Sequence, residues 1–198
     1  MIKAVIFDLN GVFIQSKLLN ERFAEDFGVA NEKFMPALKK IMAQVRKPGA
    51  KSLYYHWKPY LKKWNVNLSK HKFYDYWFKA EKQVLEMTTL ATEIKSRGIE
   101  IFILSNNFAE RANYYKKNFP FLKSLPDKIY YSWKTGFIKP DPRAIKLILK
   151  ENKLRPNECL YFDDSAKNIA VAKLLGIKSF MFRGAKKTKQ RLNKFIKL

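Results

Sequence analysis

Hydrophobic and polar positions along this chain of 198 residues fall into two patterns. The first is a short apolar run that stops at a polar residue. Residues 3–7 (Lys-Ala-Val-Ile-Phe) are apolar and β-branched and stop at Asp8, which predicts a buried strand. Similar runs predict strands over 99–104, ending at Ser105, over 128–132, over 159–162, ending at Asp163, and over 179–182. The second pattern is helical. Leu19, Phe23 and Phe27 recur at helical spacing, as do Phe34, Leu38, Ile41, Met42 and Val45. Lys47-Pro48-Gly49 breaks that run. Residues 53–64 and 71–79 also read as helices, with Pro59 expected to bend or restart the first. Between 18 and 86 there is no strand signal. Past Met87, helices over 88–96, 109–117, 142–151, 165–175 and 186–197 alternate with the strands. Pro142 suits a helix start, and Gly98 and Gly176 suit helix ends.

Short apolar strands alternating with helices predict a parallel sheet covered on both faces. The fold class expected is α/β, a three-layer α/β/α Rossmann-like core. The helical stretch is then an insertion after the first strand. The domains expected are a core of residues 1–15 and 88–198 and a helical insert of 16–87. Asn10-Gly11 marks a tight turn beyond the first strand.

Composition narrows the class. Hydrophobic residues make up 47% of the chain, ample for a core and too many for a disordered basic tail. Cys159 is the single cysteine, which excludes an internal disulfide or a cysteine-based metal cluster. The N-terminal apolar run, Ala4 to Phe7, is too short for a secretory signal and no uncharged run approaches a membrane-spanning length, so a cytoplasmic protein with no membrane span is expected. Forty basic residues face 17 acidic ones, a formal charge of +23. That excess favours phosphate-bearing or other anionic partners without choosing between small phosphates and nucleic acid. The last 21 residues hold eight basic and no acidic residues. Nucleic acid could bind that tail, but no nucleic-acid motif accompanies it, and a solvated helix is the favoured reading.

In open parallel sheets, ligands bind beyond the carboxyl ends of the strands. The polar residues there are Asp8, then Ser105-Asn106-Asn107, then Asp163-Asp164-Ser165, with Lys139 just past the third strand. Clustered carboxylates suit a hard cation such as Mg2+. A carboxylate beside such an ion can also serve as a nucleophile. The lysine and the hydroxyl can hold phosphoryl oxygens, and positioning dominates phosphoryl transfer.

Phe7-Asp8-Leu9-Asn10-Gly11-Val12, Leu104-Ser105-Asn106, Lys139-Pro140-Asp141-Pro142 and Phe162-Asp163-Asp164-Ser165-Ala166-Lys167-Asn168 together resemble the four ordered motifs of the haloacid dehalogenase-like (HAD) hydrolase superfamily. The insertion resembles the small helical cap of its phosphoglucomutase and sugar-phosphatase branch. The resemblance implies a Mg2+-dependent phosphatase acting on a small phosphorylated metabolite. Asp8 would be nucleophile and metal ligand, and the Asn10 carbonyl would also reach the metal. Ser105 and the amide of Asn106 would bind the phosphoryl group, and Lys139 would bridge it to Asp8. Asp164 would complete the metal site with Asp163 nearby. Asn168 would orient Asp164 or a metal-bound water.

One position departs from the family pattern. Most of its phosphatases carry, two residues past the nucleophile, an Asp that acts as general acid and base. Here that residue is Asn10. An amide cannot perform that proton transfer, whose loss costs about 10²–10⁴-fold in rate. A slow phosphatase, an inactive phosphate- or nucleic-acid-binding protein, and an Asn10-Gly11 pair deamidated after synthesis are the readings that follow. A 2-haloacid dehalogenase ranks lower, because the Asp163-Asp164 pair suits a cation.

Other residues invite plainer readings. His56 and His71 fall in the insertion and are expected to pack or face solvent. The aromatics of residues 54–78 are expected to form the insert's own core. Cys159 is expected to be a buried thiol, and Gln15 is a candidate cleft residue.

Overall fold

The computed structural model describes residues 1–196. In chain order the elements are β1 (Ala4–Phe7), β2 (Ile14–Gln15), α1 (Leu19–Phe27), α2 (Asn31–Val45), α3 (Leu53–Lys63), α4 (Lys70–Phe78), β3 (Lys82–Gln83), α5 (Leu85–Ser96), β4 (Glu100–Ser105), α6 (Ala109–Asn118), α7 (Phe121–Ser124), β5 (Lys128–Tyr131), α8 (Ser132–Thr135), α9 (Pro142–Glu151), β6 (Cys159–Asp163), α10 (Ala166–Leu174), β7 (Lys178–Met181) and α11 (Ala185–Leu192). Five strands form one parallel sheet in the order β5-β4-β1-β6-β7. The chain builds outward from β1 first on one side and then on the other.

Strand alternation splits the core into two layers. Val5, Phe7, Ile103, Leu160 and Phe162 face α5 and α6. Ala4, Ile6, Phe102, Cys159 and Tyr161 face α9 and α10. Both faces of the sheet are thereby buried, which is why its strands are apolar throughout. Cys159 is buried, as its strand position predicts.

The helices α1–α4 build a third cluster around Phe23, Phe34, Trp57 and Phe73. Its inner aromatics are buried and Phe27, Tyr54, Tyr60, Trp64, Tyr74 and Tyr76 pack half-buried around them, while Tyr55 is exposed. Trp77 and Phe78 of this cluster pack against Phe108, just ahead of α6, and so seat the helices on the sheet body.

Four sequence expectations change here. Pro59 does not interrupt α3, which runs through it. Leu53, Trp57 and Leu61 recur every fourth residue and are buried together, and this burial outweighs the cost of an internal proline, about 3 kcal/mol. The stretch without strand signal contains β3, which pairs antiparallel with β2 where the chain leaves and re-enters the sheet body. Two residues are too few to display alternation. The terminal helix ends at Leu192: residues 193–196 are turn and bend where helix was expected, and Lys197, the expected helix end, lies outside the described residues. The insert boundary placed at residue 87 falls inside α5, whose Met87 and Leu90 belong to the sheet core. Among the described residues no helix is long and apolar enough to cross a membrane.

Candidate active site

Register places the carboxylates. Phe7 on the central strand β1 lies opposite Phe162 on β6 and Ile103 on β4. The residue that follows β1 is Asp8, whose N–H donates to the Phe162 carbonyl (2.9 Å), so Asp8 and Asp163 emerge side by side. Carboxylate oxygens of Asp8, Asp163 and Asp164 all lie within 4.8 Å of one another.

Lys139 enters from the loop after α8. Its buried ammonium sits 2.8 Å from Asp8 Oδ1 and 2.7 Å from Asp163 Oδ2. Burial disfavours that charge, but Asp8 and Asp163 more than offset it, and the lysine pKa is raised. Asn106 holds the loop in place. Its Nδ2 donates to the Lys139 carbonyl and its Oδ1 accepts from the Lys139 N–H, each at 2.8 Å. The Asn106 side chain is therefore committed to loop anchoring, which leaves its main-chain N–H for any phosphoryl contact.

Asp8 itself is pushed up to about 6. Burial is the main cause, Lys139 opposes it, and the Asp163 charge adds to it. At pH 7 the group is still mostly anionic. Its Oδ1 also accepts from the Leu9 N–H (2.7 Å), which fixes its orientation.

Asp163 is saturated. Its oxygens accept from Lys139, the Tyr161 hydroxyl, the Ser165 N–H (2.8 Å) and both-ways from Asn168 Nδ2 (2.9 and 3.0 Å). Asn168 thus meets Asp163 rather than Asp164. Asp164 is exposed and forms no ion pair among the described residues. Its pKa is raised by partial burial and by the Asp163 charge. Gly11 makes room for it: a Cβ there would lie 2.3 Å from Asp164 Oδ2, and Gly11 holds φ +87°. Ser105, the last residue of β4, has a buried hydroxyl with no partner among the described residues. An orphaned hydroxyl at a strand end, one residue beyond the level of Asp8, is placed to meet a ligand oxygen.

Asn10 sits beyond β1, where its Nδ2 donates to the Tyr115 hydroxyl on α6. Its Oδ1 is buried without a partner. Burial drives the Tyr115 pKa well above its ordinary value. Arg111 counters this, and Glu81 reinforces it. Arg111 in turn pairs with buried Glu81. Gln15 donates to the Gly11 carbonyl (2.9 Å). His71 is exposed and faces Asp75 at 3.4 Å, and His56 stacks edge-on against Tyr55.

Tyr161, Tyr115, Glu81 and Arg111 carried no signal in their own segments. Tyr161 alone was discoverable, because it shares a strand face with Asp163 two residues on.

A parallel α/β sheet with three carboxylates and a lysine at its carboxyl edge defines a hydrolase-type site of the doubly wound class. The chain belongs to the haloacid dehalogenase-like hydrolase family, whose profile matches residues 2–176. Among curated relatives, D-ribitol-5-phosphate phosphatase of Bacteroides thetaiotaomicron is 36% identical over 59 residues, 30% of this chain and 29% of that protein. Acyl-CoA dehydrogenase family member 10 of Mus musculus is 33% identical over 96 residues, 48% of this chain and 9% of that protein. The chain thus spans less than a third of either. Among solved structures, a HAD family enzyme from Bacteroides thetaiotaomicron superposes with TM-score 0.82 at 23% identity, over 96% of this chain and 98% of the other. The same enzyme in complex with magnesium and inorganic phosphate gives TM-score 0.78 at 24% identity, covering 92% and 95%.

Proposed function

We propose that this protein is a Mg2+-dependent phosphomonoester hydrolase acting on a small phosphorylated metabolite. The observation that carries the reading is the meeting of Asp8, Asp163 and Asp164 within 4.8 Å, with Lys139 inserted between the first two. The phosphatase name of one relative and the magnesium and phosphate complex of one structural neighbour support it.

The residues fit a hard cation. Asp8 and Asp164 present carboxylate oxygens at one point, and Gly11 leaves the space that Asp164 needs. Asp163 has its lone pairs occupied by protein donors, so it serves by holding Lys139 and Asn168. The main-chain oxygen of Asn10 is the family's remaining ligand. When bound, Mg2+ neutralises charge on the substrate phosphate and orients it.

Asp8, mostly ionised at pH 7, attacks phosphorus. A bond forms between its oxygen and phosphorus as the bond to the leaving oxygen breaks in line, giving an aspartyl-phosphate and an alkoxide. The Ser105 hydroxyl and the Lys139 ammonium hold the equatorial oxygens. The alkoxide needs a proton, and Asn10 has none to give. Water must supply it, and a second water must then open the acyl phosphate without a side-chain base at position 10. Substrates with good leaving groups are turned over fastest. Helices α1–α4 act as the cap, seated on the sheet body where Trp77 and Phe78 meet Phe108.

A second reading, a phosphate-binding protein without turnover, is favoured by the engagement of Asn10 with Tyr115, which holds an amide where proton transfer is needed. One assay separates the two. Turnover of p-nitrophenyl phosphate is measured with Mg2+ and with EDTA for wild type, Asp8→Asn and Asn10→Asp. The phosphatase reading expects wild-type activity that requires Mg2+ and vanishes in Asp8→Asn. An inert wild type with an active Asn10→Asp establishes the binding reading. Inertness of all three refutes the phosphatase assignment.

A further inference from the structure

A cavity of about 530 Å³ lies at the edge of the sheet, between β7 and α11. None of Asp8, Ser105, Lys139, Asp163 and Asp164 lines it. Its wall is apolar and is formed by Phe162, Phe180 and Met181. The rest is cationic. Lys187, Arg191 and Lys194 recur at helical spacing along α11 and the turn after it, and Arg183 joins them from the loop that follows β7. No carboxylate lines the cavity.

This charge is held in place without being neutralised. None of the four cations forms an ion pair among the described residues, whereas Lys189 of the same helix bonds both oxygens of Glu93 on α5 (2.8 and 2.7 Å). Aromatic rings stand where carboxylates would otherwise sit. The Arg191 guanidinium lies 5.7 Å from the centre of the Phe180 ring, and the Lys178 ammonium 4.9 Å from that of Phe195. The two rings pack against each other at 5.7 Å. A ring face orients a cation and leaves its full charge for an anion. Like charges three and four residues apart on a helix repel, so a bound anion relieves Lys187, Arg191 and Lys194.

Size and charge select the occupant. From Lys187 to Lys194 the chain advances about 10 Å along the helix axis, more than one phosphate group spans. Linked phosphates place several negative charges in one compact body, and each suits the planar fork of an arginine. A nucleic-acid strand spreads its charges along a track of several nucleotides, whereas these four cations surround one cavity. We propose that the cavity between β7 and α11 binds a compact oligophosphate, either free or as the phosphate chain of a nucleotide. This site is separate from the carboxylate centre and does not depend on the phosphatase reading.

Calorimetry in metal-free buffer at physiological salt is run with orthophosphate, tripolyphosphate, ATP and AMP. The proteins are wild type, Lys187→Gln/Arg191→Gln, Arg183→Gln and Lys146→Gln/Lys150→Gln. The last pair removes the same charge at the same spacing from α9, on the opposite face of the sheet. Tripolyphosphate should bind wild type once per chain, about tenfold or more tighter than orthophosphate, the size of an added charge-assisted contact. Lys187→Gln/Arg191→Gln should lose about tenfold or more of that affinity. Arg183→Gln, which lies outside the helix, should weaken it as well. The α9 pair should change it by less than about threefold, because salt screens distant charges. ATP binding equal to tripolyphosphate shows that the phosphate chain alone is recognised, and tighter ATP with weak AMP adds the nucleoside; both uphold the proposal. Equal affinity for orthophosphate and tripolyphosphate overturns it. So does a loss in the α9 pair as large as in the α11 pair, which reports net charge alone, or no loss in the α11 pair. A short single-stranded oligonucleotide that binds more tightly than tripolyphosphate, and loses that affinity in the α11 pair, also overturns it and assigns the face to nucleic acid.

Discussion

Replacing Lys139 with Met tests the electrostatics of the site most directly. The substitution preserves side-chain length and removes the ammonium that lies 2.8 Å from Asp8 and 2.7 Å from Asp163. The Lys139, Asp8 and Asp163 side chains are 3%, 12% and 0% exposed, so water does little to replace the lost charge. Breaking a buried pair in this way costs about 3–5 kcal/mol. The buried carboxylate can escape part of that cost by taking a proton. Asp8 is already pushed up to about 6 with the lysine present, and its loss removes the chief influence holding that pKa down. In the variant Asp8 binds its proton more tightly folded than unfolded, so folded stability rises as pH falls. From pH 7.5 to 6 an Asp8 that stays protonated in the folded variant gains about 2 kcal/mol, while wild-type Asp8, itself half protonated at pH 6, gains about 0.4, so the variant recovers at most about 1.6 kcal/mol relative to wild type. Urea unfolding in EDTA at those two pH values gives both numbers. A loss below about 1 kcal/mol at pH 7.5, or a loss that does not shrink at pH 6, refutes this account of the site.

Three further outcomes are expected. Gly11→Ala should weaken Mg2+ binding by tenfold or more with the fold retained, because its Cβ would occupy the space of Asp164 Oδ2 and its φ is positive; calorimetric Mg2+ titration and circular dichroism read the two effects. Glu158, held down to about 2 by Arg155 and then Lys3, contributes stability that is complete above the usual glutamate range and is lost as pH falls from about 4.5 to 2. Glu158→Gln should flatten the acid unfolding curve across that window, and a curve unchanged in shape would rule this source out. Asn10 should resist deamidation, because its amide is tied to Tyr115 and the Gly11 N–H donates to the Ile14 carbonyl (2.8 Å), both of which hinder backbone attack. Intact mass after prolonged incubation should show no deamidation increment.

The sequence alone carried the sheet and the polar ends of its strands. A buried parallel strand must be apolar on both faces, so 3–7, 99–104 and 159–162 stood out as runs, and the polar residue ending each became conspicuous. Asp8, Ser105, Lys139, Asp163 and Asp164 were legible for that reason, as were the Asn10 departure and the aromatic core of the insert. Local pattern could not show the partners of these residues. Tyr115, Glu81 and Arg111 look like ordinary members of a helix or of a connecting turn, and they reach Asn10 only because α6 is docked beside it. The shared load of Asp163 and the anchoring duty of Asn106 likewise depend on contacts across 24 and 33 residues of chain. Local spacing sets which residues face a core. Charge balance and hydrogen-bond saturation depend on distances in space, and those distances exist only once the strands are in register and the helical insert is seated on the sheet.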